Sequence, residues 1–428
     1  MNKQYEITRM LKSDDLAVRE YALGALTNSE SLLPSIVEEL YCFLSTEKEP
    51  ALKLMAIKIL GDKKADKSLT FFKANIDSCD AQIKIAMYDS LSKFQSREAL
   101  EFALERYREE KAEAIRSKVV RTAAVIARTL GTDIGGEMTL EFLRDADARV
   151  RANACSIKLD PENALLKTEY KKKLYEGHAR LTAEAAIALY ESGEHGTLDF
   201  ISGLIPKALT ASEKASYAYA LGRMPSPESS ALLIGLLSDA DGCVRAGAIS
   251  SLGALREKSA IKDLFELYFL EFTGRRENLQ IIINSMKKID ELHAAYALHY
   301  EINIAHDNAY RKATLIKLFS HFAPAELSNN FKKFLEDADA RVRANAVEGV
   351  LTMKERGVID RDFVIKNLFM STCDGNPRVA ANAIFALYKC GMSGIISVLR
   401  EMLNSRVENV RRAAEYARGY FPECVVWN

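Results

Sequence analysis

The chain of 428 residues has one tryptophan, nine prolines and no Cys-x-x-Cys pair. Its seven cysteines, at 42, 79, 155, 243, 373, 390 and 424, are odd in number and irregular in spacing. That excludes a disulfide framework and a thiolate zinc site as the organising device, and it points to a reducing compartment, the cytoplasm. No apolar run approaches the roughly 20 residues that a membrane-spanning helix requires, and the first residues lack the apolar core of a secretory signal. Neither sign of charge dominates, with 59 basic residues against 59 acidic ones. A protein devoted to nucleic-acid backbone is normally basic, so this balance disfavours that class. There is no P-loop, no G-x-S-x-G turn and no H-E-x-x-H. Cys243 stands near a helix start, which favours a thiolate, but Asp241 beside it opposes that and no histidine is near in sequence. The expectation is a non-enzyme with no cofactor, no metal and no small-molecule substrate.

What the chain does have is repetition. Residues 142–154 and 334–346 share twelve of thirteen positions, differing only at Arg144 and Glu336. Self-similarity at a distance is the mark of a repeated structural unit. Val150 in the first copy is followed by small residues at +4 and +5, Ala154 and Cys155. The same spacing, extended to +8, starts at Val18, Leu52, Ile83, Val120, Leu181, Glu213, Val244, Asn278, Tyr310, Val342, Val379 and Val410. Such spacing is one face of an α-helix. The thirteen anchors lie about 33 residues apart, which leaves room between them for a second helix. β-strand alternation is absent. A lone helix pair cannot cover its own apolar face, so neighbours must stack. The prediction is an all-α solenoid, a superhelix of about thirteen helix-turn-helix repeats and 26 helices. No linker divides it, so residues 1–428 read as one continuous body. Sub-blocks at 1–255 and 256–428 are allowed, with degenerate aromatic-rich repeats at 256–330.

Turn chemistry fixes the phase. Three residues before the anchor stand Asp15, Asp80, Asp147, Thr210, Asp241, Asp307, Asp339 and Asn376, all N-cap types. Thr210 and Glu213 form a capping-box pattern. Pro50 and Pro377 fit the first helical residue. The residue after the anchor is basic in ten repeats: Arg19, Lys53, Lys84, Arg121, Arg151, Lys214, Arg245, Arg311, Arg343 and Arg411. The resulting Asp-x-x-Val-Arg-x-x-Ala pattern resembles HEAT repeats, in particular the short bacterial HEAT-like (PBS-lyase-type) units, over nearly the whole chain. It is strongest at 11–28, 145–159, 238–255 and 336–353. The resemblance implies a ladder of Asp–Arg pairs between successive repeats, carried here by Asp147/Arg151, Asp241/Arg245 and Asp339/Arg343. Thr182, Leu279 and Ala380 depart from it. HEAT-like di-iron hydroxylases carry His-Glu pairs, whereas none of the six histidines here is followed by glutamate.

The ladder reads as structure, because acids match the bases in number. Recognition is expected where the pattern fails, and large aromatics make good interface anchors. Candidate contact residues are Tyr268, Phe272, Tyr296, Tyr300 and Tyr310, with Trp427 in the apolar C-terminal tail. By family analogy, second-helix residues past the basic position line the binding surface. The function so implied is a non-catalytic scaffold or adaptor for a protein partner. The alternatives are a nucleic-acid-binding repeat protein and, on fold analogy alone, a lyase or chaperone for a bilin-bearing protein.

Overall fold

A computed structural model describes residues 2–65, 67–305, 308–392 and 394–421. They form 25 α-helices joined by tight turns and short 3-10 segments, with no strand among the described residues. The helix Leu279–Ile304 contains one non-helical residue, Asp290 (φ −172°, ψ 102°), and is therefore two helices end to end. Counting it so gives the expected 26.

The chain folds as two compact units, Met1–Ala208 and Leu209–Asn428. The sub-block border expected at 255/256 falls inside the second. In the first unit the second helices of the pairs stack in sequence: Leu16–Thr27, Pro50–Asp62, Ala81–Leu91, Glu113–Leu130, Ala148–Cys155 and Ala179–Glu191. In the second unit Ala211–Leu221, Gly242–Leu255 and Leu279–Ile304 follow one another, and so do Ala309–Phe319, Ala340–Glu355, Pro377–Lys389 and Glu408–Arg418. The first helix of a pair packs on its own second helix, as Pro227–Leu236 does on Gly242–Leu255. The anchor faces make the core: Val150, Ala154 and Cys155 are buried, as are Val244, Ala248, Ile249 and Leu252. Each large apolar side chain so placed contributes roughly 1.5–3 kcal/mol.

Two anchors differ from the sequence reading. In the helix Glu113–Leu130 the buried face is Ile115, Val119, Val120 and Ala123, so the anchor is Ile115, not Val120. The run of adjacent apolar residues hid the phase. In Ala309–Phe319 the face at +4, +5 and +8 is Leu315, Ile316 and Phe319, which makes the anchor Arg311, one residue beyond Tyr310. The cap there is Asn308, which accepts from the Arg311 amide; Asp307 lies outside the described residues. The other caps stand as expected: Asp15, Asp80, Asp147, Asp241, Asp339 and Asn376 each accept a helix-start amide, and Thr210 and Glu213 form the capping box.

The ladder exists, with other acids than those expected. Asp147 is occupied as a cap and by Arg149, at 2.7 Å, and Asp339 likewise by Arg341, at 2.7 Å. Arg151 instead donates from Nη1 to the carbonyls of Asp145 and Ala146, both at 2.8 Å, and from Nε to Glu176 of the next repeat at 2.9 Å. Arg343 repeats this on Asp337 and Ala338 and reaches Asp374 with two bonds of 2.7 and 2.9 Å. The acceptor stands five residues before the next anchor, not three. The same rule joins Arg19 to Glu47, Arg116 to Asp145, Lys214 to Asp239 and Lys312 to Asp337. So Arg116 and Lys312 are the rung residues, in place of Arg121 and Arg311. Where Thr182 and Ala380 replace the base, the acceptor positions hold Ala208 and Ser405, so base and acid are missing together. Asp241 is a cap as well. Arg245 pairs with Glu271 at 2.8 Å, both side chains 3% exposed, and with Glu277 at 2.8 Å.

Burial pushes the Glu271 carboxyl up, but the Glu277 amide, Arg245 and Asn278 outweigh it and hold its pKa below the ordinary value. At Asp145 burial again raises, and Arg116, the Asp147 amide and the Tyr107 hydroxyl together lower the pKa below the usual range.

Two further ties join neighbouring second helices. Asn153 donates to the Ser117 carbonyl at 2.7 Å, and Asn345 to the Ala313 carbonyl at 2.8 Å. Both are the asparagine of the duplicated motif. Gly61 faces Ser90, Gly222 faces Ser251 and Gly253 faces Ser285, so close that a Cβ on the glycine would lie 2.5, 2.5 and 2.9 Å from the serine Cβ. The absent side chain lets the backbones approach.

Candidate protein-interaction surface

The aromatic candidates separate into three settings. Tyr268 is 2% exposed and belongs to the core, which removes it as a contact residue: its ring faces inward from the helix Ile261–Thr273. Phe272 stacks on it at 5.9 Å, and Arg276 and Lys317 lie over the Phe272 ring at 5.7 and 5.4 Å. Tyr310 sits edge-on to Phe269 at 5.9 Å, with Arg341 over its ring at 5.9 Å. Two of these cations also have acids: Lys317 meets Glu348 at 2.7 Å, and Arg341 meets Asp339. Trp427 lies outside the described residues.

Tyr296 and Tyr300 are different. They lie on the second half of Leu279–Ile304, the first helix of the tenth pair. Asp290 breaks the helix and restarts it at once, accepting from the His293 amide at 2.9 Å. From there one face, Ala294, Ala295, Leu298 and Ile302, is buried. The other carries Leu292, Tyr296, Tyr300 and Ile304 at 54, 52, 64 and 54% exposure. Spacing of four keeps these on one side, so the helix is apolar on two sides. The sequence reading found the tyrosines and missed Leu292 and Ile304; the 292/296/300/304 period was there to be read.

Beside Tyr300 a groove of about 340 Å³ opens toward Ile261–Thr273, with Ile261, Phe265 and Ala297 among its lining. Lys258, Lys262 and His293 also line it. Lys258 pairs with Asp290 at 2.7 Å; Lys262 has no ion pair among the described residues. Glu301 lies 3.8 Å from Arg311, and Glu291 2.8 Å from Arg356.

Among the described residues there is no group of three His, Cys, Asp or Glu side chains placed to hold a metal ion, and no helix long and apolar enough to cross a membrane.

Residues 201–269 match a family model described as HEAT repeats, and residues 307–426 match one described as non-SMC mitotic condensation complex subunit 1. With the helix-pair architecture in place, this makes the chain a HEAT-repeat protein, an all-α solenoid. No curated protein matches it. Among solved structures, Kap121p bound to RanGTP is similar at 12% identity, over 98% of this chain and 48% of that one, with a TM-score of 0.41. Kap95p, in a structure with RanGDP, is similar at 14% identity over 96% and 61% of the two chains, with a TM-score of 0.35. Human deoxyhypusine hydroxylase is similar at 14% identity over 68% and 96%, with a TM-score of 0.30. The chain thus spans about half the length of the first of these, 48%.

Proposed function

We propose that this chain is a non-catalytic protein-interaction scaffold of the cytoplasm, and that a partner protein docks on the outward face of residues 291–304. The observation that carries this is the second apolar side of that helix. Its four exposed side chains form one stripe, and contiguous apolar surface of this kind marks interaction sites. The surface lies on the first helix of its pair, whereas family analogy pointed to second helices.

Phosphate binding is the weaker reading, because the bases of the duplicated motif are engaged within the fold. Arg151 and Arg343 are held by Glu176 and Asp374, Arg149 and Arg341 by their cap aspartates.

The test is affinity capture with the whole chain and with a Tyr296→Ser/Tyr300→Ser variant, beside Arg151→Ala as a structural control. The proposal expects partner proteins lost from the tyrosine variant and retained by the control. An unchanged partner set would remove this surface, and DNA or RNA retention with a steep salt dependence would move the reading to nucleic acid.

A further inference from the structure

We infer that Ser78 is a phosphorylation site, and that its phosphate completes an inter-repeat joint for which Lys53 and the Asp80 amide supply the donors. The site is independent of where a partner protein docks.

The rung rule also joins Lys84 to Glu110, at 3.9 Å. In most rungs the acid takes a second donor besides the base, the backbone amide two residues on. Glu47 accepts from the Glu49 amide and Asp337 from the Asp339 amide, both at 2.9 Å, and Asp145 and Asp374 do the same at 2.8 Å. Between the anchors Leu52 and Ile83 the rule calls for an acid at residue 78, and serine stands there. Both donors are left over. Lys53 has no ion pair among the described residues, and the Asp80 amide has no hydrogen bond among them. Burial and Asp80 raise the pKa of the adjacent Cys79 thiol, and Lys53 is near enough to oppose them. Ser78 itself faces away from both donors: its Oγ donates to the Asn75 carbonyl at 2.8 Å.

This joint is not simply a rung given up. Where Thr182 and Ala380 replace the base, no acid stands at the acceptor position either, and Ser405 there accepts the Val407 amide itself, at 3.2 Å. Arg245 has its own two acids, and Arg411 has no anchor after it. At Lys53 the base is kept and the acid is a hydroxyl. The neighbouring charges do not fill the gap. Asp77 is held by Arg106 at 3.0 Å, and Asp80 caps its helix through the Ile83 amide. A cap aspartate coexists with a rung anion elsewhere, as Asp147 does with Asp145.

Ser78 is exposed, at the end of the three-residue 3-10 turn Ile76–Ser78, so a protein kinase can reach it. In the transfer Ser78 Oγ forms a bond to the terminal phosphorus of a nucleoside triphosphate. The bond from that phosphorus to the nucleoside diphosphate breaks, and the hydroxyl proton passes to the kinase's base. The product carries up to two negative charges and three acceptor oxygens, enough to take an ammonium and an amide together.

The experiment uses the whole chain with phosphoserine encoded at position 78, beside the unmodified chain. In phosphorus NMR the second ionisation of the phosphate, ordinarily near pH ~6, is expected at lower pH, and Lys53→Met is expected to return it. The melting temperature is expected to rise by about 2–4 °C, and Lys53→Met to abolish the rise. In the unmodified chain Lys53→Met is expected to leave the melt in place, because Lys53 has no ion pair there to lose. Incubated with an extract of its source cells and ATP, the wild-type chain is expected to gain phosphate on the peptide carrying Ser78, and Ser78→Ala to gain none there. No phosphate on that peptide overturns the site. An encoded phosphate whose ionisation is ordinary, or whose shift survives Lys53→Met, overturns the joint.

Discussion

In residues 337–347 the polar side chains of the duplicated motif serve the joint between repeats and the cap of the helix. Asp337 takes Lys312 of the preceding repeat, Asp339 caps its own helix, Arg343 reaches Asp374 of the next, and Asn345 ties back to Ala313. Residues 291–304 lack that motif: they follow the helix break at Asp290, their polar ties are Glu291 to Arg356 and Glu301 to Arg311, and four large apolar side chains face outward. The difference teaches that likeness between repeats marks the chemistry of stacking. A stretch relieved of that pattern is free to carry a surface.

The comparison breaks most severely at Arg245. It is the most buried rung, and Arg245→Ala leaves Glu271 charged and unpaired. The expected loss is about 3–5 kcal/mol, read by denaturant unfolding, and a loss under 1 kcal/mol would deny that this rung is structural. Next comes Gly222→Ala, whose Cβ would lie 2.5 Å from that of Ser251; overpacking costs about 1–3 kcal/mol. Gly24→Ala, with nothing within 4 Å, is expected to stabilise the same fold by up to about 1 kcal/mol through helix propensity. If both shift the melt the same way, the close approach is not the cause. Arg151→Ala, on a half-buried rung, is expected to cost about 1 kcal/mol.

The cap aspartates add a pH signature. The Arg341 side chain, opposed in part by burial and aided by helix-start amides, holds Asp339 at about 2, against an ordinary 3.8. A depressed native pKa contributes stability fully above the unfolded value and loses it as pH falls through the folded one. That contribution is therefore expected to fade between about pH 4 and pH 2. Asp339→Asn keeps a cap but not the charge, so its stability curve is expected to be flatter over that window. The smallest effect belongs to Tyr300→Ser, where stability is expected to change by less than about 0.5 kcal/mol while partner capture is lost.

The repeat number and the caps were legible in the sequence because both are local. A helix face shows in the spacing of its own residues, and Asp15, Thr210 or Asn376 bond within their own turn. The rung acceptor was misread because the Asp-Ala-Asp motif offers two aspartates two residues apart. Only the fold shows that Asp145 and Asp337 face the preceding repeat while Asp147 and Asp339 cap. Arg311 was misplaced because a charged residue stands where an apolar anchor was expected, and Arg121 because two valines in succession fit either phase. Of the aromatic candidates, Tyr296 and Tyr300 are exposed and Tyr268 is not, a distinction composition does not carry.

The offset of the rungs has one more consequence. Apart from Arg245, whose acceptors are Glu271 and Glu277, these rungs have the donor just after one anchor and the acceptor five residues before the next. Excising residues 117–151 would place Arg116 in register with Glu176, rebuilding in one cut the pairing that Asp145 and Arg151 now share out between two. The joints are interchangeable couplings, and the chain is a part that tolerates being lengthened or shortened by whole units.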